Sequence, residues 1–198
     1  IMDFSLLKKL QSIQAPSGDE SSMRDFLIDY VEQNKSSWDV VPELVYGDKI
    51  QDCLILNFGK ARTGIFAHMD SIGFTVRYGK QLVKLGGPRL VSGTKLVGKD
   101  SIGDIECTLV VDDKTNGISY EFTREIERGT NLLFKPKWRE NKDYIQNCYM
   151  DNRLGMWIAL EIAKSLSDGI IVFSCWEETG GGSVGYLGKY IYEKWSVR

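Results

Sequence analysis

From about Val76 to Asn147 the chain shows no helical periodicity, whereas the segments on either side alternate helix-like and strand-like patterns. This interruption constrains the fold more than any other feature. Gly86-Gly87-Pro88, Gly93, Gly98, Gly103, Asp112-Asp113 and Asn116-Gly117 punctuate the stretch, leaving short β-rich runs at 81–85, 106–111 and 118–122. Turns this closely spaced, with no long helix, predict a small all-β barrel or sandwich. Upstream, Phe4, Leu6, Leu7 and Leu10 recur at helical spacing before Ala15-Pro16-Ser17-Gly18 breaks the helix. Asp19 or Ser17 is placed to cap a second helix, whose stripe of Met23, Phe26, Leu27, Tyr30 and Val31 should face a sheet. Strand-like runs follow at 38–44, 54–58 and 64–68. The last of these (Ile65, Phe66, Ala67) is apolar without alternation, as in a strand buried on both faces. Downstream, a helix is expected from near Asp151 with Leu154, Ile158, Ile162 and Leu166 on one face. An apolar strand over 169–176, a glycine-rich turn and a helix over 184–195 complete the chain. The expected organisation is an α/β domain of residues 1–75 and 148–198, interrupted by a β-barrel domain of residues 76–147.

Three places on this framework carry chemistry. His68 follows the apolar 64–67 run, so it is expected at the C-terminal end of a strand, where open α/β sheets place their sites. Asp70, two positions on, can lie on the same side and accept the second ring N–H of a metal-bound imidazole. A His-x-Asp pair is equally the signature of a buried histidine bonded to a neighbouring acid. Asp151 precedes a helix and reads as its N-cap, although a carboxylate there can also bridge two cations. Glu177-Glu178 ends the next strand. Two acids in that position are often an exit to solvent, but on an extended backbone they point to opposite sides. One could then ligate a metal while the other takes a proton from bound water. The following Thr179-Gly180-Gly181-Gly182-Ser183 permits close backbone approach but lacks both nucleotide-loop spacings. All these side chains are oxygen or nitrogen donors suited to zinc, cobalt or manganese.

Taken together the motifs resemble the glutamyl aminopeptidase/endoglucanase-M family of metallo-aminopeptidases, the group that includes the tetrahedral aminopeptidases. His68-Met69-Asp70-Ser71-Ile72-Gly73-Phe74 resembles the family's His-Met-Asp-x-Ile-Gly-Phe at every fixed position. Met150-Asp151-Asn152-Arg153-Leu154-Gly155 resembles its Leu-Asp-Asp-Arg-x-Gly, with Met for Leu and Asn152 for the second Asp. Glu177-Glu178-Thr179-Gly180 resembles its Glu-Glu-x-Gly, and the Leu10 to Gly18 run is similar to its opening. The resemblance implies a three-layer α/β/α metallopeptidase domain, phosphorylase/hydrolase-like, with an inserted β-barrel. It implies two divalent metal ions per subunit (zinc or cobalt, with manganese as a further candidate). His68 would ligate one metal, Asp151 would bridge both and Glu178 would ligate the other. Glu177 would be the general base and Asp70 the partner that orients His68. The implied reaction removes N-terminal residues from peptide substrates, and relatives use the inserted domain to form homo-oligomers. The family supplies a further Asp and a further His after the Glu-Glu motif, whereas His68 is the only histidine here. The expectation is therefore a retained part of a longer polypeptide, or a truncated product, that binds metal weakly and whose activity alone is open.

Composition narrows the classes further. In 198 residues, 27 acidic and 25 basic side chains leave a net charge of −2, and no basic patch interleaved with aromatics points to nucleic acid. No apolar run is long enough to span a bilayer, and no leader-like N-terminus is expected. Cys53, Cys107, Cys148 and Cys175 form no CxxC pair, which suits reduced thiols in a cytoplasm. Two alternatives stay open: a metallo-deacylase or carboxypeptidase-like hydrolase using the same metals, and a non-catalytic scaffold. A cellulase is not supported, because no aromatic sugar platform accompanies these acids.

Overall fold

The computed structural model describes residues 3–47 and 49–197. In chain order it begins with α1 (Ser5–Ser12), α2 (Ser21–Asn34) and three strands, β1 (Glu43–Val45), β2 (Leu54–Phe58) and β3 (Gly64–His68). Strands β4 (Gly73–Val76), β5 (Leu82–Leu85), β6 (Lys95–Asp100), β7 (Gly103–Val111), β8 (Ile118–Glu121) and β9 (Asn131–Phe134) follow. After the short hairpin of β10 (Arg139–Glu140) and β11 (Ile145–Gln146) come α3 (Met150–Ala163), β12 (Gly169–Ser174) and α4 (Val184–Trp195). The chain divides into two compact units, one of residues Ser71–Cys148 and one made of the segments before and after it. The fold class is the expected one: α/β, with an all-β barrel-like sheet inserted.

In the α/β unit the sheet order is β1-β2-β12-β3, with β12 antiparallel to β2 and parallel to β3. Strand β12 is central and every residue of it is buried, as an unbroken Ile-Ile-Val-Phe run requires. Helix α2 packs on β2 and buries Met23, Leu27 and Val31 of the expected stripe, with Phe26 and Tyr30 half-buried at its margin. Three expectations are corrected here. The 38–44 strand shrinks to Glu43–Val45, because Pro42 has no N–H for a ladder and Trp38 instead stacks on Phe58 at 6.2 Å. Strand β3 is not covered on both faces: among the described residues it pairs with β12 alone, and Ile65 and Phe66 are each 39% exposed. Helix α3 turns a different face inward. It buries Met156, Trp157, Ala159, Leu160 and Ala163 against α1, β3 and β12, while Ile158 and Ile162 lie exposed. The small Ala159 and Ala163 let the helix approach closely on that side. Two apolar stripes competed, and the one that carries the two alanines faces inward.

In the Ser71–Cys148 unit the strands follow the order β5-β4-β9-β6-β7-β8, all antiparallel. A bridge between Gln81 and Ser119, with the Tyr120 N–H donating to Lys80 O at 3.2 Å, brings the two end strands together and nearly closes the barrel. Alternation on β7 sends Ile105, Cys107 and Leu109 inward to meet Phe74, Val76, Leu96, Tyr120 and Leu132. Gly98 on β6 faces β9 so closely that a Cβ would stand 2.5 Å from Asn131 O. Gly98→Ala is therefore expected to lower stability by about 1–3 kcal/mol, read as a fall in melting temperature. Gly87→Ala, with nothing within 4 Å of its Cβ position, should leave the melting temperature unchanged.

Candidate metal centre

The parallel pairing of β3 with β12 builds the site. Ala67 lies opposite Phe173 and His68 opposite Ser174, and the Met69 N–H continues the pairing to Ser174 O at 2.8 Å. Parallel strands deliver their C-terminal ends to one edge of the sheet, so His68 and the residues after β12 emerge together. One donor atom each from His68, Glu177 and Glu178 lie within 4.8 Å of one another. His68 Nε2 is 3.8 Å from Glu177 Oε2 and 2.9 Å from Asp151 Oδ1. Glu177–Thr179 is a 3-10 turn rather than extended backbone. The expectation that the two glutamates point to opposite sides therefore fails: both reach the histidine.

Asp70, fully buried, sits behind the imidazole. Its Oδ1 is 3.3 Å from His68 Nδ1 and accepts the Glu177 N–H at 3.0 Å. Its Oδ2 accepts the Ser17 hydroxyl at 2.6 Å and the Glu178 N–H at 3.1 Å. Burial raises the Asp70 pKa, but His68, Ser17 and the two backbone N–H groups outweigh it and hold the carboxyl below its ordinary range. Ser17 thus serves Asp70 rather than capping α2; Glu20 occupies the cap position, with no side-chain cap bond.

Asp151 is 87% exposed at its side chain and does not cap α3. Asp151 and Asn152 are non-helical, joined by a cis peptide bond, and it is Asn152 Oδ1 that accepts the Gly155 N–H at 3.1 Å. Capping therefore falls to Asn152, which leaves the Asp151 carboxylate to meet His68. Gly155 is required for this, since a Cβ there would meet Asn152 Oδ1 at 2.0 Å.

The turn after β12 is held from several directions. Trp176 adopts φ 63°, and Gly180, Gly181 and Gly182 all have positive φ. A Cβ on Gly182 would lie 2.2 Å from Cys175 O, so the chain folds back on itself there. Ser183 reinforces the fold-back, accepting the Cys175 N–H at 3.1 Å and donating its own N–H to Cys175 O at 3.2 Å. Glu20 accepts the Trp176 N–H at 3.1 Å. Burial pushes the Glu20 carboxyl up to about 7; the nearby charge of Asp70 adds to this and backbone N–H groups oppose it. Ser17 and Glu20 were not among the sequence candidates. The Ala15-Pro16-Ser17-Gly18 break marked the turn that carries them, but nothing in it distinguished a cap from a contact.

Burial also lowers the pKa of His68, yet its hydrogen bonds to Asp70 and Asp151 prevail and raise it to about 9. Burial raises that of Glu178, the His68 charge opposes, and Asp151, Asp70 and Glu177 add to the rise. One imidazole thus faces four carboxyl groups. This is an acid-rich donor set of nitrogen and oxygen, which fits a zinc, cobalt or manganese ion.

No protein-family model matches the chain, and no curated protein matches it in sequence. Solved structures do match in fold. The TET1 peptidase of Pyrococcus horikoshii, which can assemble into a tetrahedron or a large octahedral shell, superposes with a TM-score of 0.74 at 21% identity over 98% of this chain. A TET aminopeptidase from a marine sediment Thaumarchaeota archaeon gives 0.72 at 15% identity over 89%. An endoglucanase from Thermotoga maritima gives 0.68 at 22% over 92%. The chain has the fold of these proteins and spans 66%, 59% and 61% of their respective lengths.

The histidine sets a pH signature for the metal-free protein. Its folded pKa of about 9 exceeds the ordinary 6.5, so its stabilisation is complete below pH 6.5 and lost as pH rises through about 9. Melting temperature in the presence of a chelator should fall across that window, and the 6.5–9 component should vanish in His68→Gln.

Proposed function

We propose that this chain carries the metal-binding core of a two-metal aminopeptidase. The observation that supports it most is the meeting of His68, Asp151, Glu177 and Glu178 at one sheet edge, on a fold shared with solved peptidases. In this reading His68 and Asp151 hold one divalent ion, Asp151 and Glu178 hold the other, and zinc or cobalt suits the donors best. Bound there, the ions supply Lewis acidity, polarising a peptide carbonyl and lowering the pKa of a water. Glu177 takes the proton of the attacking water and passes it to the leaving amine. Asp70 keeps His68 Nδ1 engaged, which leaves Nε2 for the ion.

Three ligand residues, with Asp151 shared, give each ion two, fewer than the roughly three protein ligands that a catalytic ion ordinarily takes. Among the described residues β3 pairs on one edge only, and a further strand pairing parallel on the other would end beside His68. Substrate peptides and a homo-oligomeric state belong to the same proposal; the P. horikoshii neighbour's shells support the latter. No helix among the described residues is long and apolar enough to cross a membrane, and no disulfide joins the four cysteines. A cytoplasmic setting is consistent with both.

Cobalt(II) titration followed by visible absorption tests the ligand set. His68→Ala, Asp151→Ala and Glu178→Ala should each weaken binding by roughly tenfold or more, whereas Glu177→Gln should bind as the parent does. In protein that turns over an aminoacyl-anilide, Glu177→Gln should reduce the rate by at least about a hundredfold with metal content intact. Loss of metal and rate together would remove Glu177 from the role of base. Hydrolysis of N-acyl amino acids instead of aminoacyl-anilides would point to a deacylase, and no metal uptake under any condition to a scaffold.

A further inference from the structure

We propose that Glu20 is a positioning residue of this centre: its carboxyl holds Trp176 in place and so sets where Glu177 and Glu178 stand. The inference rests on the reading of the 177–179 turn as the carboxylate-bearing element of a metal site. Three consecutive N–H groups, of Trp176, Glu177 and Glu178, each end on a buried carboxyl group. Asp70 receives the second and third, and Glu20 Oε1 receives the first. Trp176 is left-handed at φ 63°, ψ 24°, a conformation that a bulky side chain adopts only when its surroundings impose it. Glu20 is 1% exposed, makes no cap bond to α2, and its Oε2 has no hydrogen-bond partner. Burying a carboxyl with one oxygen unsatisfied works against folding, and an apolar side chain would fill the same space without that cost. What an apolar side chain cannot supply is the acceptor for the Trp176 N–H. Ser17, three residues earlier in the same turn, reaches Asp70 at 2.6 Å. The loop between α1 and α2 thus grips the catalytic turn at two points, once through Asp70 and once directly.

The test uses the full chain and two readouts, amide hydrogen exchange at Trp176 by NMR and cobalt(II) affinity. Glu20→Met should speed exchange of the Trp176 amide by about tenfold or more and weaken cobalt binding by about tenfold. Glu20→Asp, whose carboxyl is drawn back by one methylene, should move both the same way. Glu20→Gln, which keeps an acceptor oxygen at the same reach, should stay within about threefold of the parent in both readouts. Leu27→Ala, a cavity in the buried face of the same helix, lowers the melting temperature and should leave cobalt affinity unchanged. The proposal is overturned if Glu20→Met keeps both Trp176 protection and affinity, if Glu20→Gln is as damaging as Glu20→Met, or if Leu27→Ala weakens cobalt binding equally. A parent protein that takes up no cobalt overturns the metal reading instead, and Trp176 exchange then decides by itself whether Glu20 holds the turn.

Discussion

Asp70 is a single buried carboxylate on which three otherwise separate segments converge: the end of β3, the turn after β12 and the loop between the first two helices. Its two oxygens meet His68, Ser17 and the N–H groups of Glu177 and Glu178. The Ser17 and two backbone contacts are hydrogen bonds to a charge in a water-poor setting, about twice as strong as neutral ones, and His68 Nδ1 lies 3.3 Å from Oδ1 and 3.2 Å from the Asp70 carbonyl oxygen. A carboxylate so surrounded stays ionised despite its burial. Neutralising or shortening it would loosen the imidazole, the turn and the Ser17 loop together, because all three hydrogen-bond to or contact this one side chain.

The parallel register of β3 and β12 does the coarse placement that Asp70 then refines. A shift by one residue would turn His68 to the other face of the sheet and leave Glu177 and Glu178 without it. The glycine run downstream matters for the same reason. Gly182 lets the chain return against Cys175, so the turn is held at both its ends before α4 begins. Rigid neighbours thus hold His68 and the turn, while Asp151, highly exposed and outside the regular part of α3, is held by little beyond the histidine.

Much of this was legible in the sequence, and the misses share a cause. Periodicity located α2, β2, β12 and α4 and separated the barrel stretch from its flanks, because in those segments one apolar pattern dominates. It failed on α3, where Leu154-Ile158-Ile162 and the Met156-Ala159-Leu160-Ala163 face are both apolar and the choice was made by close approach to β3. It failed on β3 for the complementary reason: an unalternating apolar run says that a strand can be buried, not that both neighbours are present. His68, Asp70, Asp151, Glu177 and Glu178 stood out through their positions at strand ends and helix starts. Ser17 and Glu20 did not, since their partners lie 53 and 156 residues away and no local pattern encodes such a contact.

His68 Nε2 and Asp151 Oδ1, 2.9 Å apart, are two of the proposed ligands already in contact. Without a metal this is a charge-assisted hydrogen bond, because the raised pKa of His68 keeps the imidazole protonated at neutral pH. An ion held by both, as proposed above, would take the place of this hydrogen bond, so the two side chains would have to part. His68 cannot supply that movement easily, because Asp70 holds its other nitrogen and its backbone is locked into the parallel ladder. Asp151 can, being exposed and outside the regular part of α3. Of the two proposed ligands, His68 is therefore the fixed one and Asp151 the one free to adjust.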